Sequence, residues 1–291
     1  MHERDGTTAV TPGQAAYDQA MADVGAQVSE NPDALVRYVV HGSVAVITLN
    51  RPAERHAFNA AMSAALEAAI DRLDSTDGVW AAVLAAAPTP GRPVFCAGAD
   101  LKAIDAGETR GIHTKRGGFA GIVFRERVKP IVAAVDGVAT AGGCEVALAC
   151  DIMVATTRSS FAMAEVKRNL VANAGGLFRL PRVVGPSVAM EMMLTGDALA
   201  ASRAYELGMI SSLVEPSELL PTALDIATRI AANGPLSVQA SRRIMALAFT
   251  EDDATLKRLG YDASNAMFST ADTAEGVRAF VEKRSPRWLG R

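Results

Sequence analysis

Aromatic residues make up only 5% of this 291-residue chain, and just four of them are Tyr and two Trp. A groove for single-stranded nucleic acid interleaves aromatic platforms with a strong basic surface. The basic surface is missing too, because 29 Lys and Arg stand against 32 Asp and Glu, a net charge of −3. The same balance argues against an anionic membrane surface as the main partner. A polyanionic ligand would have to be held by a local cluster of cations. No apolar run reaches the roughly 18 residues that a spanning helix needs.

Cysteine is equally scarce. Cys96, Cys144 and Cys150 form no C-x-x-C pair, and each lies in an apolar run, so buried free thiols in a reducing compartment are expected. The four histidines (His2, His41, His56 and His113) share no metal-ligand spacing, and no metal site is expected. The absence of G-x-S-x-G leaves no nucleophilic serine elbow. Residues 1–33 hold six acids and one arginine, Arg4, which fits neither a signal nor a transit peptide. Small, polar and weakly periodic, they read as a flexible extension. The expected location is cytoplasmic.

What is present is an ordinary globular composition, 49% hydrophobic and 21% charged, on a chain long enough to bury a large core. From Val36 onward apolar runs and helical periods alternate. "VAVITL" (44–49) is a β-branched strand candidate followed by the turn "NRP". A helix follows, with Asn59 as its N-cap and Met62, Leu66, Ile70 and Leu73 recurring every three or four residues. "VWAAVLAAA" (79–87), "PIVAAVDG" (130–137) and "DIMVATT" (151–157) are further buried strands, and the pattern predicts an α/β core with mostly parallel strands. A helical region is expected from "FCAGAD" to about Lys129. Beyond about residue 195 the strand signals fade. A helix is expected from Ser217 to the stop at Asn233-Gly234-Pro235, and Asp272 and Glu275 have the spacing of a capping box. The predicted division is an extension (1–33), a core (34–195) and a helical region (196–291).

Two turns share one design. In "CAGAD" and in "TAGGCE" a strand ends, small residues turn, and a helix begins. Such a turn leaves backbone N–H groups unpaired beyond the strand end, and small residues let a ligand oxygen approach them. Singly, either is an adequate tight connection. Together they can aim the N–H groups of Ala99 and Gly142 at one carbonyl oxygen, which is an oxyanion hole.

Two carboxylates stand nearby in sequence. Glu145 is the single charge in the apolar helix Cys144 to Cys150, and a first-turn carboxylate there also complements the helix dipole by about 0.3–1 kcal/mol. Glu165 follows "FAMA" and precedes Lys167-Arg168, which equally suits a salt-bridged surface residue. A pair of glutamates beside an oxyanion hole can hold a water, take its proton and deliver a proton to carbon.

In these residues the chain resembles the crotonase superfamily, the enoyl-CoA hydratase and isomerase fold. The resemblance rests on "ITLNRP", "FCAGADLKAI", "KPIVAAVDGVATAGGCEVALACDIMVAT", "AGGLFRLPRVVG" and "LTGDALAASRAYELGMISSLVEP", in order, from about Val36 to "FVEKRSPRW". It implies a crotonase (ClpP/crotonase-like) fold of repeated ββα units with C-terminal helices that assemble a homotrimer or hexamer. The implied ligand is an acyl-CoA thioester, with CoA as part of the substrate and no separate cofactor.

By the resemblance, Ala99 and Gly142 form the oxyanion hole. Glu145 activates the water, and Glu165 handles the α-carbon proton. Ala97, Asp100, Leu101, Lys102, Gly143, Ala164 and Asn173 would line the substrate and CoA site, and Lys102 is the expected phosphate contact. The chain departs from the family pattern at Ala164, where many relatives have proline, and at Asn169 and Asn173, where glycines are common. His56 replaces a frequent asparagine. Keeping both glutamates favours a hydratase over an isomerase, which needs one proton shuttle, or another dehydratase or lyase. A non-catalytic binding protein on the same fold is the reading from another class, and the missing basic and aromatic surface argues against it.

Overall fold

The computed structural model describes Asn31 and residues 33–291, so the expected extension lies almost wholly outside the described residues. The chain begins with a hairpin, β1 (Val36–His41) and β2 (Val44–Leu49). It continues through α1 (Ala60–Ser75), β3 (Ala81–Ala86), β4 (Val94–Cys96) and the short α2 (Leu101–Asp105). A two-residue pair, β5 (His113–Thr114) and β6 (Gly118–Phe119), precedes β7 (Ile131–Val135), β8 (Val138–Thr140) and α3 (Gly142–Ala149). Then come β9 (Ile152–Thr156), β10 (Ser160–Ala162), a 3-10 turn over Ala164–Arg168, α4 (Gly176–Val184) and α5 (Pro186–Thr195).

Six strands form one sheet in the order β1-β2-β3-β7-β9-β12, where β12 is Ser212–Val214. Every pair in it except β1–β2 is parallel. A second sheet runs β11-β10-β8-β4, with β11 spanning Ala198–Ala200. The strands of the first sheet are apolar without alternation because both faces are covered. Ala45, Ile47 and Leu49 of β2 point into the cluster that holds Phe95, Phe161 and the α1 stripe of Met62, Leu66, Ile70 and Leu73. Their neighbours Val44 and Val46 pack on the other face against Leu220, Ala223 and Leu224 of α7 (Leu219–Ala231). Asn59 caps α1 by accepting the Met62 N–H at 3.0 Å, as its place before the apolar stripe predicts. The mixed α/β architecture, with helices at the C-terminus, agrees with the fold that the resemblance implies.

Three local expectations are corrected. Only Leu101–Asp105 of the segment reaching to Lys129 is helical. Gly107, Gly111, Gly118 and Gly121 all have positive φ there, which breaks the helix. Gly121 lies so close to α1 that a Cβ would meet the Ser63 carbonyl oxygen at 2.7 Å, and the segment lies flat on that helix.

Beyond residue 195, two short strands (β11 and β12) flank α6 (Ala201–Glu206), and their brevity hid them in the sequence pattern. After α7, the chain is helical through α8 (Pro235–Leu247), α9 (Asp253–Met267) and α10 (Ala271–Glu282). Thr270, not Asp272, caps α10, accepting the Thr273 N–H. Asp272 is buried because it accepts the N–H groups of Leu289 and Gly290 and pins the C-terminal tail, while Glu275 pairs with Arg284.

Candidate active site

The two small-residue turns meet. β4 ends at Cys96 and the chain turns at Gly98, whose φ is +92°, before α2 starts beyond Asp100. β8 ends at Thr140 and α3 starts at Gly142, after Ala141 at φ 51°, ψ −131°. A Cβ built on Gly98 would lie 3.0 Å from the Gly142 nitrogen, so the turns are in direct contact.

Ala141 occupies a conformation that L-residues rarely adopt, at a cost of about 1–3 kcal/mol. It is held there because its N–H donates to the Ala162 carbonyl at 2.8 Å and its own carbonyl accepts from Cys144 and Glu145. The consequence is a helix entry that presents the Gly142 N–H. As the first helical residue it has no intrahelical acceptor, and among the described loops neither it nor the Ala99 N–H finds one.

Glu145 sits in the first turn of α3 and is 3% exposed. Its Oε1 accepts the Gly176 N–H at 2.9 Å. Burial outweighs this bond and pushes the carboxyl up to about 7, with the charge of Glu165 adding to the rise. Glu165 lies in the 3-10 turn after β10 and is also buried. Its Oε2 has no hydrogen-bond partner, and burial raises its pKa as well. The surface salt bridge that the following basic pair suggests does not form, since Lys167 pairs with Asp197 instead.

Both carboxyls line one cavity of about 830 Å³. The structure brings Ala97, Ala99, Asp100, Leu101, Lys102, Gly142, Ala164 and Asn173 to the same wall. Gly143 is not among them. A Cβ there would meet the Cys96 carbonyl oxygen at 2.1 Å, so this glycine lets α3 lie on β4. Asp100 is committed to structure: it caps α2 through the Lys102 N–H and pairs with Arg51 at 2.7 Å. These contacts hold its carboxyl below the usual range, against the opposing effect of burial.

The sequence reading missed Arg55, Arg168, His113 and Phe119, which also line the cavity. The only signal for Arg168 was its place three residues after Glu165; Arg55 is delivered by tertiary structure. His56 explains how. Buried, it accepts the Arg51 N–H on Nδ1 and therefore donates from Nε2 to the Ala87 carbonyl at 2.8 Å. Burial drives its pKa down to about 4, and the neutral ring ties the Arg51–Ala57 loop to the end of β3. Among the described residues no group of three or more His, Cys, Asp or Glu side chains is placed to hold a metal ion. No helix among them is long and apolar enough to cross a membrane.

Two strand-to-helix turns and two buried carboxyls thus line one cavity on a two-sheet α/β core. The sequence matches the enoyl-CoA hydratase/isomerase family over residues 40–291, and the chain belongs to that family. It is 35% identical over 247 residues to the short-chain-enoyl-CoA hydratase of Clostridium acetobutylicum, covering 84% of this chain and 93% of that one. It is 36% identical over 255 residues to the mevalonyl-coenzyme A hydratase sidH of Aspergillus fumigatus, covering 84% of this chain and 91% of that one. The crystal structure of an enoyl-CoA hydratase from Mycobacterium tuberculosis H37Rv superposes with a TM-score of 0.82 at 42% identity, covering 90% of this chain and all of that one.

Proposed function

We propose that this protein is an enoyl-CoA hydratase that adds water across the 2,3 double bond of an enoyl-CoA thioester. The observation that carries this reading is the pair of buried glutamates, both pushed toward the protonated form, on the cavity wall that also bears two unpaired backbone N–H groups. The Ala99 and Gly142 N–H groups hold the thioester oxygen as it gains enolate charge, and one such donor contributes about 2.7–4 kcal/mol. A pair that keeps one proton between two carboxyls can take a proton and give one in the same step. Glu145 takes a proton from the water as its oxygen bonds the β-carbon. Glu165 gives its proton to the α-carbon, and the pair ends with the proton on the other member. The step balances with no redox partner.

Arg55, Lys102 and Arg168 are exposed cations on the cavity wall, and we assign the CoA phosphates to them. On a chain of net charge −3 such a local cluster is what a polyanion requires. We further propose that the helical region self-associates into a trimer or hexamer. Phe268 and Phe280 are 77% and 85% exposed, and Met245 is 73% exposed, which is apolar surface suited to a second copy. Sedimentation at equilibrium that shows a monomer at micromolar concentration would refute this. The free thiols support a cytoplasmic location.

The test of the reaction uses Glu145→Gln and Glu165→Gln, which keep side-chain size but cannot act as bases. Each is expected to lower kcat for 2-enoyl-CoA hydration about 10²- to 10⁴-fold. The double mutant should lose much less than the product, because the two act on one water. A shift of the double bond from 3-enoyl to 2-enoyl that survives only in Glu145→Gln separates an isomerase from a hydratase. Wild-type hydration by Glu145→Gln would sink the assignment.

A further inference from the structure

The Gly176 N–H that grips Glu145 belongs to a loop that is itself gripped. Arg179, one turn into α4, donates from Nη1 to the Ala174 carbonyl at 3.3 Å and from Nη2 to the Val123 carbonyl at 2.6 Å. Its backbone N–H donates to the Gly175 carbonyl at 2.9 Å. The guanidinium lies so close to the loop that a Cβ on Gly175 would fall 2.1 Å from Nη1, and that glycine also has φ +107°. Phe124 and Phe178, stacked with centroids 6.4 Å apart, hold the guanidinium at 5.7 and 5.2 Å from their ring centres. One planar cation therefore ties the loop backbone at Ala174 to Val123, two residues before the Gly176 N–H that binds Glu145.

We infer that Arg179 is a positioning residue for Glu145, bracing the loop backbone at Ala174 so that the Gly176 N–H stays directed at the Glu145 carboxyl. The inference rests on the hydratase reading for its consequence on turnover, but not for its effect on the carboxyl itself. The other groups that face the pair are Glu165 and the buried thiol of Cys144 on the Glu145 side, and Arg127, Arg182 and Cys150 on the Arg179 side. Burial and the Glu165 charge raise the Glu145 pKa, while the Gly176 and Ala174 N–H groups and, least, the Arg179 charge lower it, so Arg179 acts chiefly through the loop it braces. The planar fork matters more than the charge. Lysine has one point donor and cannot span two carbonyls.

The experiment is an infrared titration of the substrate-free protein, with the Glu145 carboxyl band identified by its loss in Glu145→Gln. Arg179→Met is expected to raise the midpoint of that band by about half a pH unit or more. Arg179→Lys is expected to raise the midpoint less than Arg179→Met does and to lower kcat about tenfold with KM unchanged, because the charge remains and the brace does not. An unchanged Glu145 midpoint in folded Arg179→Met would overturn the inference. If Arg179→Met fails to fold, Arg179→Lys with wild-type kcat would overturn it equally. A protein in which the midpoint moves but no variant, nor the wild type, hydrates enoyl-CoA would leave the brace standing and refute the hydratase reading alone.

Discussion

Glu145 accepts the backbone N–H of Gly176 at 2.9 Å across 31 positions of sequence. One hydrogen bond does not restore what water supplies to an ionised carboxylate, and burial carries its pKa from 4.5 to about 7. A carboxyl whose folded pKa lies above its unfolded one stabilises the fold while protonated. That contribution is fully present below 4.5 and is lost as pH rises through about 7. Glu145→Gln removes the group that must ionise, and its amide oxygen can still accept from Gly176. The mutant should therefore be more stable than wild type at pH 8, by up to about 3 kcal/mol, and the gain should fade toward pH 4.5. Calorimetric melts at several pH values read this out. A mutant that melts below wild type at pH 8 contradicts it.

The proposed oxyanion hole calls for a probe that reaches the N–H groups. Gly142→Val is a poor one, because a Cβ there meets the Phe119 ring at 2.5 Å. Gly98→Ala is better placed: its methyl would stand 3.0 Å from the Gly142 nitrogen, at a position with φ +92°. We expect kcat/KM to fall at least about a hundredfold, the scale of one lost donor, while the subunit stays folded. Near-normal turnover by this variant, with an unchanged melting profile, would mean that the N–H groups do not contact the thioester.

The cation cluster predicts a salt-dependent ligand. Lys102→Ala should weaken acyl-CoA binding several-fold, and Arg55→Ala and Arg168→Ala should act in the same direction. Added salt should weaken wild-type binding more than that of the triple variant. Titration calorimetry with CoA itself measures this without turnover. Equal affinity for wild type and the triple variant would place the phosphates elsewhere.

The α/β class, the apolar stripe of α1 and its Asn59 cap are legible in the sequence because each depends on neighbours within one or two turns. The two glycine turns are legible for the same reason. A strand end, small residues and a helix start leave N–H groups free whatever surrounds them. The glutamates could be nominated from sequence as isolated charges, but Glu145 equally suited a helix dipole and Glu165 a surface ion pair.

Only the tertiary structure separates those readings, because burial and pairing depend on segments far apart in the chain. It takes the 174–176 loop to hold Glu145 and the Lys167–Asp197 pair to draw Lys167 away from Glu165. The same holds for the errors. Asp272 has the spacing of a capping box, yet the C-terminal tail offers it two N–H groups and takes it out of that role. Gly143 resembles a ligand-facing glycine in "AGGCE", but the Cys96 carbonyl stands where its side chain would be. Local pattern determines which elements form and where backbone donors are left free; long-range packing decides which charges lose their water, and so which carboxyls can do chemistry.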